Sequence, residues 1–210
     1  MSTVLSTNIA ESVFIEYQGK REPTGIYKHP VEEPLFLGKE EVKKDVVANQ
    51  KVHGGVYKAV YAYSADDYPY WKEIYPELEW QWGMFGENLT MDQLNEEDLC
   101  IGDRYELGEC ILRVTQPREP CFKLGVRFND QAIVKRFVDH GRSGTYFAVE
   151  KEGRVQVGDQ LIKKEEHPVR ISIKEVYIAL YTRNSNPDLV SRIQANAAVP
   201  PRLFKRFVGA

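Results

Sequence analysis

Between Val13 and about Ile173 the chain is written in short β-favouring runs broken by turn residues, and this punctuation restricts it to a strand-rich fold. Val13-Phe14-Ile15-Glu16-Tyr17 is one such run, closed by Gly19. Thr24-Gly25-Ile26-Tyr27 is another, stopping at Pro30. Arg104-Tyr105-Glu106-Leu107 and Cys110-Ile111-Leu112-Arg113-Val114-Thr115 flank Gly108-Glu109 and read as a hairpin. In its second arm successive side chains alternate between faces, so Cys110 shares the face of Leu112 and Val114 and is expected to be a buried packing thiol. Cys100 is read the same way. Thr145-Tyr146-Phe147-Ala148-Val149-Glu150 and Arg154-Val155-Gln156-Val157 flank Glu152-Gly153 as a second expected hairpin. Both regions carry an apolar-Gly-Asp turn, Ile101-Gly102-Asp103 and Val157-Gly158-Asp159. Many short strands at regular spacing predict a barrel or a sandwich.

Helical spacing interrupts this pattern in two places. Tyr70, Trp71 and Ile74 predict a helix over 66–74 that Pro76 ends. Asn129 or Asp130 is a candidate cap for a helix through Ile133, Val134, Phe137 and Val138, with Gly141 just beyond it. After Ile173 the chain changes character. One helix is expected over 173–181 and a second from Asn186-Pro187. A third opens at Pro200-Pro201, and together they form a small extension that packs on itself or on a partner. The expected boundary puts a β domain at 1–173 and the three-helix extension at 174–210.

A net charge of −3 argues against a nucleic-acid protein, for which a basic stripe is expected. No run approaches the roughly 20 apolar residues that cross a bilayer, and residues 1–11 lack the pattern of a signal peptide. Three widely spaced cysteines without a Cys-x-x-Cys pair exclude the usual zinc spacings and speak against a disulfide framework. A reducing cytoplasm fits best.

Chemistry is concentrated in Gln116-Pro117-Arg118-Glu119-Pro120-Cys121-Phe122-Lys123. Two prolines stiffen the backbone around Cys121. Arg118 and Lys123 are near enough in sequence to favour the thiolate, the form that attacks electrophiles and ligates soft metals; the alternative is an inert thiol in a structural loop. Lys51-Val52-His53-Gly54-Gly55 either cradles an anion on its amides or is a plain turn with a surface histidine. Glu87 and Asn88, in Phe85-Gly86-Glu87-Asn88-Leu89, either present hydrogen bonds to a heterocycle or cap a turn. Arg142, in Gly141-Arg142-Ser143-Gly144, is a cation on a loop that can meet phosphate.

In this order the motifs His-Gly-Gly, Phe-Gly-Glu-Asn-Leu, Gly-Asp, Gln-Pro-Arg-x-Pro-Cys-x-Lys and Gly-Arg-x-Gly resemble the MOSC domain family, named for the C-terminal domain of molybdenum cofactor sulfurase, from about Thr24 to Leu161. The helical tail resembles the three-helix extension of the YiiM-type subgroup, the hydroxylaminopurine-resistance proteins. The resemblance implies a mainly β fold with α, a closed β-barrel core, and a molybdenum cofactor (molybdopterin) whose metal is ligated by Cys121. The family is associated with reduction of N-hydroxylated base analogues and amidoximes to amines, and with pyridoxal phosphate binding. Carried over by position, His53, Gly54, Gly55, Lys58, Glu87, Asn88, Arg118, Lys123 and Arg142 are expected at the cofactor, and His53 is the candidate proton donor. Two positions depart from the pattern. Tyr57 stands where an Asp is common, with Lys58 keeping the next charge. Lys44-Asp45 stands where Gly-Asp is common.

The expected partners are a small N-hydroxylated substrate and a separate electron-donating reductase that docks on the tail, with a homodimer as a further expectation. Two other functions use the same residues: a sulfur carrier with a Cys121 persulfide, and a non-catalytic module that stores or delivers the cofactor.

Overall fold

The computed structural model describes residues 1–48, 54–182 and 186–208. Among them the chain forms twelve strands and six α-helices. The strands are β1 (Val4–Ile9), β2 (Val13–Tyr17), β3 (Lys20–Thr24), β4 (His29–Val31), β5 (Leu35–Leu37), β6 (Val60–Ser64), β7 (Leu89–Met91), β8 (Arg104–Leu107), β9 (Cys110–Pro117), β10 (Thr145–Lys151), β11 (Gly153–Val155) and β12 (Ile162–Glu165). The helices are α1 (Tyr68–Ile74), α2 (Phe122–Arg127), α3 (Ala132–His140), α4 (Ile173–Tyr181), α5 (Pro187–Ala195) and α6 (Pro201–Val208).

Eight strands form one sheet in the order β12-β8-β9-β10-β6-β7-β1-β4. Every neighbouring pair is antiparallel except β6 and β7. The closed barrel expected from the resemblance is not what the chain builds: the sheet is open, ending at β12 and β4, in a mixed α/β fold. Both edges are blunted. All four residues of β12, Ile-Lys-Lys-Glu, are exposed, which keeps that edge wet. In β4, Pro30 has no amide hydrogen to donate to a further strand. Between the edges, the start of β1 and the residues just before it meet the turn before β12 through an isolated Thr3–Gln160 bridge and flanking backbone bonds such as Val4 N to Asp159 O at 2.9 Å.

Two strand expectations are also corrected. β10 already has β9 and β6 on its two sides, so β11 cannot fold back on it and pairs with β5 instead. The run expected at 24–27 lies one step earlier, as β3. Gln18 and Gly19, with φ of 52° and 73°, make the two-residue left-handed turn that matches strand twist and returns the chain against β2. The hairpin of β8 and β9 is as expected, and Cys110 is fully buried with Leu112 and Val114.

The core has two parts. One is aliphatic and joins the inner face of the sheet to the tail, so Ile173, Val176, Leu189, Ile193 and Leu203 are buried with Leu89, Leu112, Val114 and Phe147. The other is aromatic, with Tyr61, Tyr63, Tyr68, Trp71, Phe85, Phe128 and Phe137 packed together. Phe85 sits 4.5 Å from Tyr63 and 5.3 Å from Tyr68, ring centre to ring centre. The tail helices start where the sequence places them. Ser172 and Asn186 cap α4 and α5 by accepting from the amides of Glu175 and Asp188.

Candidate functional site

Strand β9 ends at Pro117 and delivers Arg118 to Cys121 onto the wall of a cleft of about 100 Å³ that opens to solvent. The Thr115 hydroxyl lies 2.6 Å from the Tyr57 carbonyl and 2.9 Å from that of Tyr146, so this strand end also fixes the segment carrying Lys58. Cys121 has extended backbone (φ −133°, ψ 172°) and immediately precedes α2. Its half-buried thiol lines the cleft.

Cations surround that thiol. Arg118 is only 6% exposed; its guanidinium lies 5.0 Å from the Phe137 ring centre and 5.8 Å from that of Tyr61, and Nη2 donates to the Phe85 carbonyl at 3.4 Å. Its Nη1 is buried with no hydrogen-bond partner among the described residues. Burial opposes the Arg118 charge, but Tyr61, Cys121, Tyr146 and Tyr177 more than offset it and raise its pKa. Lys58 lies 5.6 Å above the Tyr146 ring, and burial lowers its pKa. Lys123, also buried, donates from Nζ to the Pro23 carbonyl at 2.8 Å. The two carboxylates in the cleft wall are both engaged: Asp45 with Lys28, and Glu119 with Arg206 of α6. A buried guanidinium with an unsatisfied NH2 group beside further cations is a receptor for an anion.

Another part of the wall comes from the 83–88 loop, which Arg118 meets at the Phe85 carbonyl. Gly86 has φ +79°, which only glycine adopts cheaply, and a Cβ there would press on Ile26 Cγ1 at 3.3 Å. Asn88 lines the cleft and donates from Nδ2 to Asp45 Oδ2 at 2.8 Å. Glu87 does not line it. Its fully buried carboxylate accepts from the Tyr68 hydroxyl, the Gly83 amide at 2.9 Å, the Phe85 amide at 3.1 Å and the Thr90 hydroxyl at 2.8 Å. Burial raises its pKa, while those donors pull the other way. Glu87 therefore knots the loop from inside and leaves Asn88 to face the cleft.

The structure thus gathers Cys121, Arg118, Lys123, Lys58 and Asn88 around one cleft. Gly54 and Gly55 are partly exposed and are not on its wall; Gly55 has φ +86°. His53 lies outside the described residues. Arg142 is elsewhere, its Nε 3.2 Å from Glu96 Oε2 and 3.4 Å from Asp67 Oδ1, and it also donates to Asn95 Oδ1 and the Leu94 carbonyl. Sequence reasoning missed Lys28, Tyr61 and Tyr146 on the wall and met Asp45 only as half of a motif. Lys44, which replaces the Gly of that motif, has φ +71°, the left-handed conformation that explains why a glycine is usual there. Among the described residues no three His, Cys, Asp or Glu side chains gather as a metal cage. A metal beside Cys121 would therefore take most of its ligands from a cofactor. A metal whose cofactor carries a phosphate fits this donor set: one soft thiol, and cations with an unsatisfied N–H for the anion.

The MOSC domain family profile matches residues 49–162. The chain is 37% identical over 197 residues to the uncharacterized protein YflK of Bacillus subtilis, covering 94% of this chain and 89% of that one. It is 36% identical over 171 residues to a protein named "Reductase" from Gibberella moniliformis, a match that covers 80% of this chain but only 30% of that one. The crystal structure of YiiM from Geobacillus stearothermophilus superposes with a TM-score of 0.81 at 28% identity, covering 99% of this chain and 97% of the other.

Proposed function

The chain belongs to the MOSC domain family, and on that premise we propose that it binds a molybdenum–pterin cofactor in the cleft and reduces N-hydroxylated compounds to amines. The observation that carries this reading is the juxtaposition of the Cys121 thiol with the buried, unsatisfied Nη1 of Arg118 in one solvent-connected cleft. Cys121 ligates the metal as a thiolate, a soft donor held deprotonated once bound. Arg118, Lys58 and Lys123 hold the cofactor's phosphate by charge-assisted hydrogen bonds. The Tyr61, Phe85 and Tyr146 side chains give the cleft apolar walls that restrict water. When bound, the cofactor supplies two-electron chemistry at its metal, and the protein supplies binding, orientation and field.

Electrons arrive from a separate reductase. The exposed Arg202 and Lys205 of α6, beside the Arg206–Glu119 pair on the cleft rim, are the docking face we assign to the donor. A reducing cytoplasm suits a site built on a free thiol.

Wild type and Cys121→Ala, purified from a host that makes the cofactor, decide the central point by metal and pterin analysis. About one molybdenum per chain in wild type and almost none in the variant is the expected result. Equal metal in both removes the ligand role from Cys121. Cyanide-labile sulfur without metal points instead to a persulfide carrier.

A further inference from the structure

The cleft contains a second chemical unit that the anion cradle does not use. Lys28 is 5% exposed and lies on the cleft wall; its ammonium pairs with Asp45 Oδ2, and the Asp45 side chain is itself 3% exposed. Asp45 Oδ2 also accepts from Asn88 Nδ2 at 2.8 Å, and Oδ1 accepts from the Ala10 amide at 2.8 Å. All three side chains, Lys28, Asp45 and Asn88, line the same cleft as Cys121. The Ala10 and Asn88 donors thus occupy both carboxylate oxygens of Asp45, and Lys28 adds an ammonium to the same buried group. A buried ion pair costs desolvation, and one that lines the same cleft as a thiol is a candidate for chemistry.

We propose that the Lys28–Asp45 pair is the proton source of the cleft. This rests on the reductase reading above. The overall reaction takes R–NHOH, two electrons from the donor reductase and two protons to R–NH2 and water. Lys28 Nζ gives one proton to the departing hydroxyl oxygen as the N–O bond breaks with its electron pair on oxygen. The second proton reaches nitrogen from solvent, and the neutral Lys28 amine regains its own proton from solvent through the cleft mouth while Asp45 holds it in place. The groups facing Lys28 are Asp45 and Glu87, and both favour its charged form; burial opposes them and prevails, lowering its pKa. A lowered amine pKa brings proton release nearer to neutrality. The active form is the protonated one, so turnover is present at low pH and is lost as pH rises through the Lys28 pKa.

The test uses full-length protein loaded with cofactor, comparing wild type, Lys28→Arg and Asp45→Asn. Arginine keeps the cation and cannot release its proton. We expect kcat to fall about 100-fold in Lys28→Arg, the scale of a lost general acid, with molybdenum and pterin content unchanged. In Asp45→Asn the alkaline limb should move to lower pH. A second readout needs no turnover: in 15N-labelled wild type, loaded or unloaded, Lys28 Nζ should titrate below the ordinary lysine value of about 10.4. Wild-type kcat and an unchanged alkaline limb in a metal-loaded Lys28→Arg overturn the proposal while leaving the cofactor reading intact. Titration of Lys28 at or above that ordinary value also overturns it. Equal metal in wild type and Cys121→Ala removes the ligand role of Cys121 and leaves the Lys28 proposal standing.

Discussion

Gly25 is the tightest point in the cleft wall. A Cβ placed there would lie 1.8 Å from the Val46 carbonyl oxygen and 2.9 Å from its carbon. Both are backbone atoms, so no rotamer change relieves the contact. Ordinary contact begins at 3.4 Å, and one of the two segments must retreat by about 1.6 Å. The Val46 side is tied down by Asp45, whose carboxylate holds two hydrogen bonds of 2.8 Å that such a shift would break. The Gly25 side is tied by Thr24, which is 1% exposed, pairs with Val13 in the hairpin, and accepts from the Ile26 amide at 3.2 Å. Overpacking of this kind costs about 1–3 kcal/mol, and the strained hydrogen bonds place Gly25→Ala near ~2–3 kcal/mol. With an m-value of about 2 kcal/mol/M, the urea midpoint should fall by about 1 M at unchanged slope. The same displacement carries Asp45 and Val46 on the cleft wall, so cofactor content should fall as well. A midpoint within about 0.2 M of wild type together with full cofactor content would refute the steric reasoning.

Iodoacetamide at pH 8 should modify native protein at Cys121 alone. Burial pushes the Cys110 thiol up to about 12 and raises that of Cys100, whereas the Cys121 thiol is half exposed in the cleft; mass spectrometry showing Cys110 alkylated as fast as Cys121 would contradict the burial assignment. Arg142→Met should cost about 3 kcal/mol at pH 8, because it strands the fully buried carboxylate of Glu96. Burial already raises the Glu96 pKa, and losing the cation raises it further, so the carboxyl takes up a proton as pH falls and the cost shrinks towards pH 5. Urea midpoints at the two pH values check both size and sign, and an equal loss at both would be the wrong outcome.

Local signals were readable where they act over a few residues. The Gly108-Glu109 turn places β8 against β9, period two buries Cys110, and Asn186-Pro187 starts α5. What the sequence left hidden is decided by distant partners. β11 leaves β10 for β5 because both sides of β10 are taken, and the sheet stays open because its edge strands are short, charged or capped by proline. Helix α2 is a six-residue turn containing Gly125, with no periodic stripe to announce it. At the site, the Pro-Cys-x-Lys block was legible because its chemistry is compact in sequence. Lys28 and Asp45 are 17 residues apart and acquire meaning only when packing brings them together. Arg142 looked like a phosphate cation on its glycine loop, yet the buried Asp67 and Glu96 claim it.

The Arg206–Glu119 pair has a mechanical corollary. Helix α6 is clasped to the rim two residues before the thiol, while its Leu203 is sunk in the main core. A protein pressing on the end of this chain would thus push on a lever whose other arm is the mouth of the cleft. Filling the cleft and gripping the tail should each alter the free energy of the other, and by the same amount.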